Sequence, residues 1–291
     1  MKHLKRLLSE ILPREELNSI CCSYDIVGDI AIIRLTEGSR KYAALVAETI
    51  MKIHKNVKTV LAQTSPVRGD YRLRELTHIA GENKTKTVHR ESGCMFAVDL
   101  KTCYFSPRLS FERMRVAKLV GNGEVVVNMF AGVGCFSIII AKHSKAEKVY
   151  SIDINPAAVQ FMWENIKLNR VQGKVFPLEG DAKNIILERL QGVADRVLMP
   201  LPEKALEYLP YAFSALKNGW GWIHYYDFEH AVKGENPVEK VKAKVATKLE
   251  ELGVNFDISF SRIIRSIGPN WYQLVLDILC KGLKDQQNLK V

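Results

Sequence analysis

VVVNMFAGVGCFS, Val125 to Ser137, sets a run of β-branched residues directly before two closely spaced glycines and a second apolar run. A continuous valine-rich stretch of this length reads as a strand buried on both faces, as in a parallel sheet. Gly132 and Gly134 let the backbone turn sharply and approach a ligand, and the helix that follows offers unpaired N–H groups at its start. Such a turn can hold a phosphate or an amino-acid carboxylate. The dinucleotide fingerprint needs G-x-G-x-x-G, whereas this chain reads GVGCFS, so the glycines alone do not decide the ligand.

Outward from this stretch, strands and helices alternate from Phe105 onward, which predicts a parallel sheet covered on both faces. A helix over Leu109 to Leu119 precedes the strand Val125 to Phe130. Then come helix Cys135 to His143, strand Lys148 to Asp153, helix Ala157 to Asn169, strand Lys174 to Leu178, a short helix Ala182 to Leu190 and strand Arg196 to Met199. Helix Glu203 to Leu216, strand Gly221 to Phe228 and helix Pro237 to Leu252 continue the pattern. The strands near Phe256 to Ile264 and Tyr272 to Leu279 are separated by a short connection around SIGPN, too short for a helical crossover, so they should pair antiparallel. A parallel sheet ending in such a hairpin resembles the class I (Rossmann-like) methyltransferase fold. The expected organisation is therefore α/β: that domain over 105–291, preceded by a smaller α+β domain over 1–104.

The first domain begins with a basic amphipathic helix, followed by SYDIVGDIAIIRL as a hairpin turning at Gly28 and a helix from Lys41 to His54. Residues 67–93 carry six basic side chains, Arg68, Arg72, Arg74, Lys84, Lys86 and Arg90. Their default reading is a solvated β-rich face. The chain has 291 residues, 47% hydrophobic and 25% charged, so it can form real cores. A net charge of +10 favours a polyanionic partner, although a lysine-rich surface selected for thermal stability has the same sign. No apolar run reaches the roughly 18 residues of a membrane span, and the N-terminus lacks a signal peptide's apolar centre. The six cysteines show no CxxC spacing and read as reduced and structural, and no histidine or cysteine cluster has metal-ligand spacing. A cytoplasmic monomer with no metal and no membrane association is the expectation.

Two acids complete the candidate cofactor site. Asp153 ends the strand of IDINP and can accept both hydroxyls of an adenosine ribose, while Asp181 in EGDA can accept from an adenine amino group. Each acid taken alone is better explained as a loop residue or a helix cap. Three features at successive strand ends, Gly132, Asp153 and Asp181, point instead to one crevice.

Tyr104 to Arg115 (YFSPRLSFERMR), FAGVG, IDINP, LMPLP (Leu198 to Pro202) and IHYYDF (Ile223 to Phe228) together resemble the archaeal and eukaryotic tRNA guanosine-37 methyltransferases and their wyosine-pathway relatives. The resemblance runs from about Ser23 to the C-terminus, and FSPRL followed by ER is its most specific element. It implies S-adenosyl-L-methionine as cofactor and the anticodon stem-loop region of tRNA as partner. It also implies Glu112 as general base and Arg72 as the cation stabilising the guanine oxygen, with Tyr104 and Arg108 lining the cofactor or target pocket. Asn128, Phe130, Asn155 and Pro200 fall in the same cofactor motifs. Methylating ring nitrogen 1 does require a proton acceptor and a cation near the neighbouring oxygen. Without the resemblance, Glu112 is a salt-bridge partner on a helix and Arg72 a phosphate contact.

Two positions depart from the family pattern: Asn128 stands for an aspartate, and Pro200 for the asparagine before LP. Pro200 has no side-chain polar atom and no N–H, and resembles the subgroup that also methylates a tricyclic wyosine precursor. The compact N-terminal domain that reads the outer corner of tRNA is not expected in this sequence. Two alternatives stay open: aminocarboxypropyl transfer from the same cofactor, and a non-catalytic RNA-binding protein.

Overall fold

The structure is a computed structural model and describes residues 2–284. The chain divides into two compact units, one ending at Ser110 and the other starting at Phe111.

In the first unit, helices α1 (Lys2–Ser9) and α2 (Arg14–Ser19) precede the hairpin of β1 (Tyr24–Val27) and β2 (Ile30–Arg34), which turns at Gly28. A short 3-10 turn over Glu37–Tyr42 leads into α3 (Ala43–Ile53), so the α-helix starts slightly later than the sequence suggested. β3 (Thr59–Gln63) pairs parallel with β2, and β4 (Leu76–Gly81) pairs antiparallel with β3. The helices bury Leu4, Leu8, Leu17, Val46 and Ile50 against Ile33 and Val60 of this sheet. β5 (Lys86–Glu91) and β6 (Cys94–Asp99) form a separate two-stranded ribbon.

The second unit follows the expected alternation. After α4 (Ser110–Leu119) come β7 (Val125–Asn128), α5 (Cys135–His143), β8 (Lys148–Asp153), α6 (Pro156–Asn169) and β9 (Val175–Glu179). Then α7 (Ala182–Ile185), a π turn over Ile186–Leu190, β10 (Arg196–Met199), α8 (Ala205–Ala215), β11 (Trp220–His230) and α9 (Pro237–Glu251) follow. β12 (Val254–Gly268) and β13 (Trp271–Leu283) close the unit as the antiparallel pair predicted from the short SIGPN connection.

These strands form one seven-stranded sheet in the order β12-β13-β11-β10-β7-β8-β9. The central neighbours are parallel and β13 runs antiparallel to both β11 and β12. Alternate residues serve opposite faces, as strand geometry requires. Ile223 and Tyr225 of β11 join the core that includes Leu209, Val241 and Val245 of α8 and α9. Tyr226, on the other face, meets Phe136 of α5 at 6.0 Å between ring centroids and bonds Glu112 of α4. All six cysteines are free thiols, and no described helix is long and apolar enough to cross a membrane.

Candidate functional site

Four parallel neighbours, β10, β7, β8 and β9, end side by side, and their carboxyl ends carry the cofactor residues picked out from the sequence. In open α/β sheets a ligand crevice forms along this edge. Past β7, Gly132 adopts φ +57° and Gly134 φ +90°. A side chain at Gly134 would drive into Met162 Cγ at 2.8 Å, so this glycine packs α5 onto α6; at Gly132 an added Cβ would meet only open space. One glycine serves the protein's own packing and the other leaves room for a guest.

Asp153 ties the edge together. Its Oδ2 accepts from Gly132 N at 2.6 Å and its Oδ1 from Asn155 N at 3.0 Å. Burial pushes its carboxyl up, and the two backbone donors from Asn155 and Gly132 oppose that. A carboxylate offers about four lone-pair directions, so two remain for the hydroxyls of a ribose. Asn155 caps α6 by accepting from Ala157 N at 3.0 Å. Asp181 caps α7, with Oδ1 accepting from Lys183 N at 2.8 Å, and its Oδ2 takes the Tyr208 hydroxyl proton at 2.5 Å. Tyr208 stands edge-on to Phe130 at 5.3 Å, which links β7's end to β9's end. Asn128 is fully buried, donating to Ser137 Oγ at 3.1 Å and accepting from Phe130 N at 3.4 Å. Pro200 follows directly on β10 and is half-buried.

This edge fits S-adenosyl-L-methionine. It has open backbone at Gly132 and two carboxylates, Asp153 and Asp181, acceptors of the kind that suit a cationic nucleoside bearing hydroxyl and amino groups.

Glu112 lies in the same unit on the first turn of α4, only 1% exposed. Its Oε1 accepts from Arg115 Nη2 at 2.7 Å, Arg115 Nε at 3.1 Å and the Tyr226 hydroxyl at 2.9 Å. Its Oε2 accepts from Arg115 Nε at 3.0 Å and Arg262 Nη2 at 2.9 Å. Arg115 continues to Asp277 on β13, whose Oδ1 also meets His224 Nδ1 at 2.6 Å. His224 Nε2 lies 2.8 Å from Arg196 Nη1. Because a guanidinium can only donate, His224 Nε2 is the acceptor and Nδ1 carries the proton toward Asp277. Burial lowers the His224 imidazole's affinity for a second proton, with Asp277 pulling the other way. Asp277 would be raised by burial, but the bonds from His224 and Arg115 overrule this and hold it well below the usual carboxylate range.

The remaining sequence candidates lie in the first unit. Arg72 has a left-handed backbone (φ +53°) in the tight turn that joins Arg68 to Leu73, and its guanidinium stacks 4.3 Å from the Tyr104 ring centre. Arg108 donates to Asp25 Oδ1 at 2.5 Å. The basic stretch is not one uniform solvated face: Arg68, Lys86 and Arg90 are exposed, while Lys84 is tied to Asp29 and Glu82, each at 2.7 Å. Among the described residues no group of acids, histidines and cysteines could hold a metal.

Sequence reasoning missed Arg115, Tyr226, Arg262 and Asp277 around Glu112, and Tyr208 beside Asp181. Only Arg115 left a local trace, its i,i+3 spacing from Glu112. The others arrive from strands or helices far along the chain.

Comparison with known proteins agrees with this geometry. The TRM5/TYW2 methyltransferase domain model matches residues 87–254, and the TYW2 N-terminal domain model matches residues 4–85. The chain is 44% identical over 266 residues to the tRNA (guanine(37)-N(1))-methyltransferase Trm5b of Pyrococcus abyssi, covering 91% of this chain and 77% of that protein. It is 37% identical to the tRNA 4-demethylwyosine(37)-methyltransferase Taw21 of Saccharolobus solfataricus, covering 87% of this chain and 92% of that one. The solved complex of aTrm5 with tRNALeu superposes with a TM-score of 0.81 at 35% identity, over 96% of this chain and 78% of that one.

Proposed function

This chain belongs to the TRM5/TYW2 methyltransferase family, and from that premise we infer that it is an S-adenosyl-L-methionine-dependent tRNA (guanine-37, N1)-methyltransferase. The observation that carries the reading is the shared carboxyl edge, where Gly132 N is bonded to Asp153 and Asp181 caps the helix that follows β9, the next strand but one from β7.

When bound, the cofactor supplies an electrophilic methyl group on a sulfonium. Asp153, Asp181, Asn155, Gly132 and Phe130 hold its adenosine end, with Asn128 and Gly134 shaping the turn beneath. Pro200 offers its carbonyl at the end of β10. Glu112 takes the proton from ring nitrogen 1 as that nitrogen gains the methyl group, and Arg72 steadies the charge gathering on the neighbouring oxygen, with Tyr104 stacked beneath its guanidinium. Arg108 braces Asp25 nearby in sequence to that stack. Residues 1–104 supply tRNA contacts, a reading supported by exposed Arg68, Lys86 and Arg90. Guanosine at position 37 of the anticodon loop is the target, and the protein works as a cytoplasmic monomer. The free thiols support a reducing compartment. The kinship to Taw21 and the side-chain-poor Pro200 support a second methylation, on a wyosine precursor. Aminocarboxypropyl transfer is the less favoured reading, since a buried Glu112 suits removal of a ring-nitrogen proton.

The test is methyl transfer to tRNA transcripts carrying guanosine or adenosine at position 37, with Glu112→Gln and Asp153→Ala alongside wild type. Transfer confined to the guanosine transcript and lost in both variants is expected. Equal transfer to both transcripts removes the target, and full activity in Glu112→Gln removes the base.

A further inference from the structure

We infer that Arg262 and Phe111 form an RNA-docking latch over Glu112. A nucleotide next to the target in the anticodon loop stacks on Phe111 and draws Arg262 from the Glu112 carboxylate onto its own phosphate. The inference rests on the functional reading above and adds the residues that bare the base.

The argument begins with the occupancy of Glu112. Every direction on its carboxylate from which a guanine N–H could approach already holds a donor: Arg115 and Tyr226 on Oε1, Arg115 and Arg262 on Oε2. A proton can be accepted only after one donor leaves. Arg115 is fixed from behind, its Nη1 bonded to Asp277 Oδ2 at 2.6 Å and its Nη2 to Oδ1 at 3.0 Å. Tyr226 is 1% exposed and closed in beneath Phe136. Arg262 differs from both. Its side chain is 35% exposed, it comes from the edge strand β12, and it gives Glu112 a single hydrogen bond. Its Nε is buried and makes no hydrogen bond among the described residues, so a donor waits there for an acceptor. A phosphate could take Nε and Nη2 together, the fork geometry that guanidinium groups favour.

Phe111 says what brings that phosphate. It is 70% exposed, one residue from Glu112 on α4, with the Arg262 guanidinium 4.9 Å from its ring centre. The neighbouring pair repeats the pattern, with Arg115 4.7 Å from the Phe260 ring. A large aromatic left bare beside a cation is the arrangement that binds splayed single-stranded nucleotides, the base on the ring and the backbone on the charge. Binding would then exchange one partner of Arg262 for another, and Glu112 Oε2 would open only when RNA is in place.

The experiment measures tRNA affinity against salt concentration, and steady-state methylation, for wild type, Phe111→Ala, Arg262→Ala and Arg262→Lys. Calorimetric binding of S-adenosylmethionine confirms that each variant is folded. Arg262→Ala should raise KM for tRNA about tenfold and flatten the salt dependence by about 0.7 in log–log slope, one single-strand phosphate contact. Arg262→Lys should keep the slope. Phe111→Ala should raise KM about tenfold with the slope unchanged, and should lose nothing more on a transcript with an abasic nucleotide at position 36 or 38, whichever weakens wild type. If Arg262→Ala changes kcat or the pH profile while KM and slope stay at wild-type values, Arg262 is only a structural partner of Glu112 and the latch is wrong. Unchanged KM in Phe111→Ala overturns it as well. An inactive wild type, or an active Glu112→Gln, would instead overturn the functional reading on which the latch stands.

Discussion

Arg115 grips Asp277 with both terminal nitrogens, Nη1 to Oδ2 at 2.6 Å and Nη2 to Oδ1 at 3.0 Å, a fork joining α4 to β13 across the buried face of the sheet. Losing one partner of a buried pair costs about 3–5 kcal/mol, so Asp277→Asn should lower the urea midpoint clearly at pH 7. Its pH dependence has a definite sign. The native carboxyl is held below its unfolded value of about 3.9, so its stabilisation is complete above about pH 4 and is lost as the pH falls further. The gap between wild type and Asp277→Asn should therefore narrow on going from pH 7 to pH 3. A constant gap would show that Asp277 gains nothing from its ion pair.

His224 should remain neutral, with its proton on Nδ1. Burial lowers its proton affinity and Arg196 occupies Nε2. Nitrogen-15 spectra should show one Nδ1-protonated ring whose titration falls below that of a free imidazole. Since the unfolded ring gains a proton near about 6.5 and the native one only at lower pH, this residue makes folding weaker as pH drops below that value.

The two glycines of the turn should respond differently to alanine. Gly134→Ala meets Met162 Cγ at 2.8 Å and Ile138 Cδ1 at 3.2 Å, at φ +90°, and should cost about 3 kcal/mol of stability from strain and overpacking. Gly132→Ala meets open space, so its folding cost should be near 1 kcal/mol while cofactor affinity falls about tenfold or more. Thermal denaturation and calorimetry separate the two. Equal melting temperatures for the pair would contradict the assignment.

Asp153→Asn should damage both the loop and the cofactor site. An amide nitrogen cannot accept, so one of Gly132 N and Asn155 N would face a donor; an unsatisfied buried group costs about 1–3 kcal/mol. A lowered melting temperature together with weakened S-adenosylmethionine binding is expected. Wild-type affinity would place the ribose elsewhere.

Much of this was legible in the sequence because periodicity and turn chemistry are local. The valine run, the paired glycines and the acid of IDINP fall on β7, its turn and the end of β8, and SIGPN alone predicts the β12–β13 hairpin. What was not legible is non-local or exposed. β12 is longer than expected, with ends that mix polar and apolar residues because it is an edge strand interrupted by four register shifts. Two of the donors on Glu112, Tyr226 and Arg262, come from β11 and β12, and Asp277 from β13, with nothing in the neighbourhood of Glu112 to announce them. Arg72 was singled out by the resemblance, but its left-handed turn was not foreseen, because arginine carries no signal for that backbone.

β13, late in sequence, is interior to the sheet: it lies between β11 and β12 and runs antiparallel to both. While the polypeptide emerges from the ribosome, β11 must keep an unsatisfied flank until residues beyond 270 appear. That flank is a place where nascent chains could pair wrongly with one another. Assembly of the sheet is thus less a sequential addition of strands than an insertion.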